Sequence, residues 1–307
     1  MKNKYLIMTA ADNKFAKGAA VLLFSLRKHM ARLAEVDIKV IYNNLTEENK
    51  QLIKHACPRV IFQKPADTEF CEGLTTLYGE DNQDTYLCFE AFRQHEYEKV
   101  ICLDSDMMCI GDISPLLDYE QPMLACLSKN KVNFDHLEFR NGVDKFNAGF
   151  FVINKQILQS SHTYDDLTNM VRHGRSQGLG KSHPFNDQDV IKKYWRNKYV
   201  LAVPDGYNFR MWGGLSGNKQ ILKENERLIS FFNKHIEDIK VIHYSGKRKP
   251  WGNKTVRDDG RNGLYDVCSC GDENAMIGVP AVDMWHDYYE ECFEKKCETD
   301  WYYRKKK

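Results

Sequence analysis

The chain has 307 residues and a mass of 35.9 kDa, which is enough for one large domain or two small ones. Apolar residues make up 42% and charged residues 28%, proportions that exclude a disordered, collagenous or coiled-coil protein. The 44 basic and 43 acidic residues leave a net charge of +1, so the sequence lacks the global positive field that a general nucleic-acid-binding protein uses.

Short apolar segments alternate with helical patterns through the first hundred residues. The predicted strands lie at residues 4–9, 36–42, 59–62 and 100–103, and the predicted helices lie at 16–30, at 85–97 and after a Thr46 N-cap. Strands that lack polar alternation and are separated by helices are typical of a parallel sheet with both faces covered. The pattern therefore predicts an α/β, doubly wound architecture with a mostly parallel central sheet.

The spacing of the segments changes after Leu103, but no low-complexity linker divides the chain. Further strands are predicted at 123–127, 146–154 and 240–244, and further helices at 164–172, 187–194 and 282–296. We expect one domain over residues 1–251 and a C-terminal extension over 252–307. The aromatic side chains of the extension are expected to pack on the domain, with a membrane surface or an acceptor as the alternative contact. They are Trp285, Tyr288, Tyr289, Phe293, Trp301, Tyr302 and Tyr303.

No apolar run approaches the ~20 residues of a membrane span, and the apolar core of the N-terminus is shorter than that of a signal peptide. We therefore expect a cytoplasmic protein, with attachment to a membrane surface as the alternative. Reducing conditions there would keep the ten cysteines as thiols. The cysteine spacings of the extension are looser than those of structural zinc sites, which are the alternative. These cysteines are Cys268, Cys270, Cys292 and Cys297.

The most informative motif is Asp104-Ser105-Asp106 in VICLDSDMMCI, directly after a predicted apolar strand. Ligands of open α/β sheets bind outside the carboxyl ends of the strands. Two carboxylates at such an end can share a hard divalent cation, and the cation can neutralise a diphosphate. A solvated acidic turn is the alternative interpretation of the motif.

A second motif, VIHYSGKRKPW, places His243 at the end of a strand and follows it with a glycine and three cations. An imidazole ligand suits Mn²⁺ better than Mg²⁺. The glycine allows the backbone to approach a phosphate, and a lysine can neutralise it. A structural histidine followed by a solvated basic turn is the alternative.

Two further segments carry polar residues at unusual places. In FNAGFFVIN, Asn147 and Gly149 interrupt a strand of large apolar residues, which indicates a bulge or the close approach of a ligand. In FNDQDV, Asp187 and Gln188 stand at a predicted helix N-terminus, where capping of the helix is the alternative role.

Five segments occur in the order TAADNKFAKGA, LDSD, FNAG, NDQD and HYSGKRKPW. Together they resemble the glycogenin-like and lipopolysaccharide galactosyltransferase-like retaining glycosyltransferases of glycosyltransferase family 8. The resemblance extends from about Thr9 to Trp251 and implies a Rossmann-like, nucleotide-sugar-binding fold of the GT-A type. The first turn is not G-x-G-x-x-G, so a nicotinamide fingerprint is absent.

The resemblance implies a role for each motif residue. The uracil and ribose are assigned to Ala10, Ala11, Asp12, Asn13, the stacking ring of Phe15, and Ser105. The cation, Mn²⁺ with Mg²⁺ as the alternative, is assigned to Asp104, Asp106 and His243, and the diphosphate to Gly246 and Lys249. The donor sugar is assigned to Asn147, Ala148, Asp187 and Gln188, of which Asp187 and Gln188 are the candidate catalytic residues.

One position departs from the family pattern. Relatives commonly carry Lys or Arg on the helix before the D-x-D strand, where this chain has Leu87 or Cys88. Neither side chain is basic.

The implied activity is transfer of a hexose from a UDP-sugar to an acceptor hydroxyl with retention of configuration. The acceptor class stays open between a glycan, a lipid-linked sugar, a polyol and a protein, and a homodimer is compatible with the family. We favour same-face substitution, since the sequence offers no carboxylate pair like that of the retaining hydrolases. The alternative functions are a catalytically weak UDP-sugar-binding or regulatory protein and a metal-dependent nucleotide-sugar phosphohydrolase.

Overall fold

The computed structural model describes residues 3–72, 82–127, 137–141, 146–160, 162–177, 186–210, 230, 232–245, 249–251, 264–266, 276–278 and 280–293. The strands are β1 (Tyr5–Ala10), β2 (Val36–Ile41), β3 (Ile61–Gln63), β4 (Lys99–Leu103), β5 (Met107–Cys109), β6 (Met123–Leu127), β7 (Glu138–Asn141), β8 (Phe146–Asn154), β9 (Tyr199–Val203), β10 (Phe209–Arg210), β11 (Val241–His243), β12 (Leu264–Asp266) and β13 (Met276–Gly278). The α-helices are α1 (Ala16–His29), α2 (Glu47–Ala56), α3 (Lys155–Leu158), α4 (Thr163–Ser176), α5 (Asp187–Tyr194) and α6 (Pro280–Phe293).

The central sheet has eight strands in the order β3-β2-β1-β4-β8-β6-β9-β7. The first four strands are parallel, and β6 and β9 run in the same direction as they do. Only β7 and β8 are reversed among the eight strands of this sheet. The predicted α/β fold with a mostly parallel central sheet is therefore confirmed, and the carboxyl ends of β1 and β4 lie side by side.

Helices cover both faces of the sheet, which explains the continuous apolar sequence of β4. Ile101 and Leu103 belong to one hydrophobic core, with α1, α2 and α6, whereas Val100 and Cys102 belong to a second core on the opposite face. The second core includes residues of α4 and α5. Because each face is buried, neither set of alternate residues can be polar without loss of core contacts.

A smaller sheet, in the order β10-β11-β5, lies beside the central one. β11 pairs with β5 in antiparallel fashion, with His243 opposite Met107, and with β10 in parallel, with His243 opposite Arg210. The sequence predicted β11 at 240–244 but not β5 or β10, because strands of three and two residues are too short to show a periodic pattern. This small sheet brings His243 next to the end of β4.

The predicted helix at 85–97 is instead a 3-10 helix, Asn82–Arg93. Its three aromatic residues, Tyr86, Phe89 and Phe92, recur at a spacing of three and are all buried. Side chains three residues apart eclipse each other in a 3-10 helix, so this spacing presents them as one row to the core. The other helix predictions agree with the structure to within a few residues, and Thr46 accepts a bond from the N–H of Asn49 as the N-cap of α2.

The extension contributes α6, which packs against α1 and α2. Trp285 is buried and lies 5.4 Å from the ring of Trp251, centroid to centroid, while Tyr288 stacks on His29 of α1. Phe293 stacks on His55 of α2. The residues of the extension beyond Phe293, with Trp301, Tyr302 and Tyr303, lie outside the described residues.

The seven cysteines in the described ranges are all free thiols and all buried. Cys268, Cys270 and Cys297 lie outside these ranges, so the zinc alternative stays a prediction. None of the described helices combines the length and the hydropathy needed to cross a bilayer.

Candidate active site

The turn between β4 and β5 holds Asp104, Ser105 and Asp106 at the carboxyl end of the central sheet. The N–H of Asp104 donates to the carbonyl of Gly149 on β8 at 2.8 Å, which fixes the start of the turn. The N–H of Tyr244 donates to the carbonyl of Asp106 at 2.9 Å, which joins the turn to the strand that ends at His243. The turn is therefore held from both sheets.

Asp104, Asp106 and His243 form a compact cluster, with one candidate ligand atom from each within 4.8 Å of the others. Nε2 of His243 lies 3.2 Å from Oδ1 of Asp106 and 3.7 Å from Oδ2 of Asp104. The Asp104 side chain is 46% exposed, whereas those of Asp106 and His243 are 8% and 3% exposed. The cluster thus has two buried members and one that opens to solvent.

Lys249 neutralises the buried carboxylate. Its Nζ donates to Oδ2 of Asp106 and, at 2.9 Å, to the carbonyl of Tyr244. Burial by itself would raise the pKa of Asp106, but Lys249 and His243 outweigh it and hold that pKa well below the ordinary value. Partial desolvation of the carboxyl group against the sheet, followed by the charge of Asp106, raises the pKa of Asp104.

Gly149 is required where β8 passes the cluster. A Cβ atom at this position would lie 2.6 Å from Oδ2 of Asp104 and 2.6 Å from Cε1 of His243. Separations this short are not found for real Cβ atoms, so any larger residue has to displace the two ligand groups. The predicted break in the strand pattern therefore marks a close approach to the cluster.

Asn147 and Gln188 hold each other beside Gly149. Oδ1 of Asn147 accepts from the N–H of Gly149 at 3.2 Å, and its Nδ2 donates to Oε1 of Gln188 at 3.2 Å. The N–H of Ala148 donates to the same Gln188 oxygen, also at 3.2 Å. Gln188 therefore has a fixed amide orientation, because a backbone N–H can only donate.

Asp187 begins α5 next to Gln188, and Cys88 faces it. The Cys88 thiol donates to Oδ2 of Asp187 at 3.6 Å, so a neutral donor contacts this carboxylate. Burial raises the pKa of Asp187 to about 6. The helix cap is formed by Asn186, whose side chain accepts from the N–H of Asp189. Asn186, and not Asp187, is therefore the N-cap of α5.

The turn after β1 lies beside this site at the same sheet edge. Oδ1 of Asp12 accepts from the N–H of Phe15 at 2.8 Å, and Oδ1 of Asn13 accepts from the N–H of Thr46 at 2.8 Å. The Phe15 ring meets the ring of Trp251 edge to face at 5.8 Å, and Nζ of Lys249 lies 5.4 Å from the Phe15 centroid. Ala10 is the last residue of β1, which pairs with β4, and Ala11 begins the turn that follows it.

The sequence did not indicate two polar residues near these motifs. Asn208 is buried, and its side chain contacts both Asn147 and His243. Asp84, in the 3-10 helix, has a pKa raised to about 6 by burial and by the charge of Asp12. Neither residue lies in a recognisable motif, and both come near the site only through tertiary packing. Gly246, the expected phosphate contact, lies outside the described residues.

The cluster fits a divalent cation on its donor chemistry. Two carboxylates and an imidazole are ligands that Mn²⁺ and related ions accept, whereas Mg²⁺ prefers oxygen ligands alone. Nδ1 of His243 is engaged by Oδ1 of Asn208 at 2.9 Å, which leaves Nε2 facing the carboxylates. Metal-binding histidines commonly have such an outer partner.

Comparison with known families agrees with this geometry. The model for glycosyl transferase family 8 matches residues 6–255. General stress protein A of Bacillus subtilis is 21% identical over 292 residues, which cover 90% of this chain and 97% of that protein. Glycogenin of Komagataella phaffii is 21% identical over 224 residues, which cover 71% of this chain and 51% of that protein.

Solved structures share the fold. The galactosyltransferase LgtC in complex with donor and acceptor sugar analogues superposes with a TM-score of 0.61 at 18% identity, covering 92% of this chain and 95% of LgtC. The glycosyltransferase GlyE of Streptococcus pneumoniae gives a TM-score of 0.60 at 17% identity, covering 94% of this chain and 60% of GlyE.

Proposed function

Because the chain belongs to glycosyl transferase family 8, we propose that it transfers a hexose from a UDP-sugar to an acceptor hydroxyl with retention of configuration. The observation that carries the proposal is the cluster of Asp104, Asp106 and His243 at the carboxyl edge of the sheet. A cation bound there, which we take to be Mn²⁺, would supply positive charge for the diphosphate of the donor. The acceptor is a glycan, a lipid-linked sugar, a polyol or a protein.

Lys249 adds a second positive charge at the same place. Its ammonium group lies against Asp106, so a diphosphate bound by a cation at the cluster would lie close to this positive charge. Positive charge next to the leaving diphosphate stabilises the transition state, in which negative charge develops on UDP. The uracil would lie over the turn that contains Asp12, Asn13 and Phe15.

The contacts of Gln188 support a stabilising role for it. The nucleophilic atom of an amide is its oxygen, and Oε1 of Gln188 already accepts from Nδ2 of Asn147 and the N–H of Ala148. The Nε2 hydrogens are thereby left to donate to the sugar. Asp187, as a carboxylate, would accept hydroxyl hydrogen bonds from the same sugar.

We propose that the reaction is a same-face substitution. The bond between the anomeric carbon and the β-phosphate oxygen breaks, and the electron pair leaves with UDP. The acceptor oxygen then bonds to the anomeric carbon from the same face, and its proton passes to a phosphate oxygen of UDP. No side chain is alkylated, so intact mass should show no hexose on Asp187 or Gln188 during turnover.

The proposal is tested by UDP release from a panel of UDP-sugars, each with Mn²⁺ or with EDTA. We expect release from one preferred donor, with a loss of about 10²- to 10³-fold in Asp106→Asn. Intact-mass analysis of the same samples distinguishes self-glycosylation from transfer to another acceptor or to water. Release that persists in EDTA and in Asp106→Asn would place the chemistry elsewhere.

The second candidate function is a UDP-sugar-binding protein with little transfer. This function is favoured by the lack of a basic residue at Leu87 or Cys88, one of which would correspond to the basic position of relatives. The neutral thiol of Cys88 contacts Asp187 instead. Tight Mn²⁺-dependent UDP binding without release of UDP from any donor, in the presence of a panel of acceptors, would support this function over transfer.

A further inference from the structure

We propose that Asn208 is a positioning residue that holds His243 in the tautomer able to bind a cation through Nε2. The inference rests on the proposed function only for the identity of the ligand. The tautomer itself is a property of the metal-free protein. A backbone N–H group can only donate, and its contact determines the orientation of two side-chain amides in turn.

The first step fixes the orientation of Asn147. The N–H of Gly149 lies 3.2 Å from Oδ1 of Asn147 and can only donate. The atom that it meets must accept, so it is the oxygen of the amide. The other end of Asn147, Nδ2, donates to Oε1 of Gln188, whose orientation is fixed in turn by the N–H of Ala148. The N–H groups of Ala148 and Gly149, both on β8, therefore require one and the same orientation of the Asn147 and Gln188 amides.

The second step fixes Asn208. Its amide reaches Oδ1 of Asn147 at 2.9 Å, and only its nitrogen can donate there. Its oxygen is then the atom that lies 2.9 Å from Nδ1 of His243. Because this oxygen can only accept, Nδ1 must carry a hydrogen. In a neutral imidazole with a hydrogen on Nδ1, Nε2 has its lone pair free.

Nε2 is then the nitrogen that faces the carboxylate pair, 3.2 Å from Oδ1 of Asp106 and 3.7 Å from Oδ2 of Asp104. It donates to Asp106 while the ring is protonated, and it can bind a cation once that proton has left. In the other neutral tautomer, Nδ1 would face the Asn208 oxygen as acceptor against acceptor. Asn208 is 4% exposed and His243 is 2% exposed, so water cannot readily replace the lost partner. The geometry thus selects the ligand nitrogen before the cation arrives.

The fold explains why Asn208 is in place. Asn208 directly precedes β10, and β10 pairs in parallel with β11 so that Phe209 lies opposite Ile242 and Arg210 opposite His243. β11 is held in turn against β5, which follows Asp106. The same small sheet therefore sets both the position of His243 relative to the carboxylates and its contact with Asn208.

The first measurement uses the wild-type protein without metal. Nitrogen-15 NMR of the imidazole ring, recorded while the pH is raised until the ring is neutral, distinguishes the two neutral tautomers. The His243 signals are assigned by their absence in His243→Gln. We expect the hydrogen on Nδ1. A neutral His243 with its hydrogen on Nε2 would overturn the proposal, and this test needs no variant that could fail to fold.

Three variants extend the test to metal affinity. Asn208→Leu removes the acceptor, so His243 should change to the Nε2–H tautomer, for which Asp106 is the remaining acceptor. Its Mn²⁺ affinity, measured by titration of the free-ion EPR signal, should fall about 10- to 100-fold. Asn208→Asp keeps an oxygen toward His243 and should keep the Nδ1–H tautomer and most of the affinity.

Asn154→Leu is the matched control. Asn154 is a buried asparagine on β8 at the edge of the sheet remote from the cluster, where its Nδ2 donates to the carbonyl of Tyr119 at 3.0 Å. It should lose stability like Asn208→Leu but keep the wild-type tautomer and Mn²⁺ affinity. An Asn208→Leu protein with unchanged tautomer and affinity contradicts the proposal. A wild-type protein that has Nδ1–H but binds no Mn²⁺ contradicts the proposed function and leaves the role of Asn208 in the tautomer confirmed.

Discussion

Gly149 lies so close to Asp104 and His243 that the cluster leaves no room for a Cβ atom at this position. In Gly149→Ala the new Cβ must push away Oδ2 of Asp104 and the ring of His243. Because both groups belong to the cluster, we expect Mn²⁺ affinity to fall by at least about 10-fold, as for other changes that misplace metal ligands.

Calorimetric Mn²⁺ titration of wild-type protein and Gly149→Ala measures this effect, with circular dichroism to show that the fold is kept. Ala148→Ser, one residue away on a neighbouring buried position, controls for a small change in β8. Equal Mn²⁺ affinity in wild type and Gly149→Ala would show that the cation does not bind between these side chains.

Asp187 is the residue for which pH dependence is expected. Burial raises its pKa in the folded protein to about 6, above the value of about 3.9 for an unfolded chain. The folded state therefore binds the proton more tightly, so the stability contributed by this group is complete below about pH 4 and is lost as the pH rises through 6. An asparagine at this position does not titrate, so it would not lose stability over this pH range.

We expect Asp187→Asn to be more stable than wild type at pH 8 by about 1–2 kcal/mol, with the gain vanishing near pH 4. Urea unfolding at pH 4, 6 and 8 gives the difference directly. Asp165→Asn, an exposed carboxylate on α4, controls for the loss of one acidic group. A gain that is the same at all three pH values would mean that Asp187 is not buried as a carboxylate in the folded protein.

Among the secondary-structure elements, α6 contributes side chains to the same hydrophobic core as α1 and α2. Trp285 is 2% exposed and contacts Trp251 at 5.4 Å and Tyr289 at 5.3 Å, centroid to centroid. Lys28 of α1 pairs with Glu291 at 2.6 Å, and the hydroxyl of Tyr244 donates to the carbonyl of Ala281. These contacts join the extension to α1 and to the strand that ends at His243.

Trp285→Ala should therefore reduce the free energy of unfolding by about 3–5 kcal/mol, the usual cost of truncating a buried tryptophan. Chemical denaturation measures the change, and Asp287→Ala on the exposed side of α6 should lie within about 0.5 kcal/mol of wild type. If the two variants were equally stable, α6 would not be docked on α1 in solution.

The sequence predicts most accurately the helices that begin after a polar N-cap residue. α2 and α5 begin where polar caps precede them, at Thr46 and Asn186. The 3-10 helix was predicted as a longer α-helix, because its three-residue aromatic spacing also fits one face of an α-helix. β9 was missed although its residues are mostly buried, since a run of five apolar residues can belong to either kind of element.

At the scale of the whole molecule, the predicted α/β sheet and the cluster of Asp104, Asp106 and His243 agree with the structure. The D-x-D motif was predictable because a buried strand precedes it, so its position at the sheet edge follows from local pattern. The contact between Asn208 and His243 could not be predicted from the sequence. It depends on the register of β10 and β11, which are separated by 30 residues of chain. Only the assembled small sheet places them together.

The directions of the strands explain how residues from different parts of the central sheet meet at the site. The parallel half, β3-β2-β1-β4, carries the turn after β1, whereas β8 crosses in the opposite direction and brings Asn147 and Gly149 to the same edge. Polar side chains for a nucleotide and for a sugar can therefore lie on either side of one cation. The assignment of residues 1–251 and 252–307 as separate units stays a prediction.

The central claim is that a cation held by Asp104, Asp106 and His243 binds the diphosphate of a nucleotide-sugar donor. Calorimetric titration of UDP into the protein, with Mn²⁺ and with EDTA, tests it most directly, using wild type and Asp106→Asn. We predict UDP affinity that is at least about 10-fold higher with Mn²⁺ in wild type, and no such difference in Asp106→Asn. Equal UDP affinity with Mn²⁺ and with EDTA in the wild-type protein would contradict the claim.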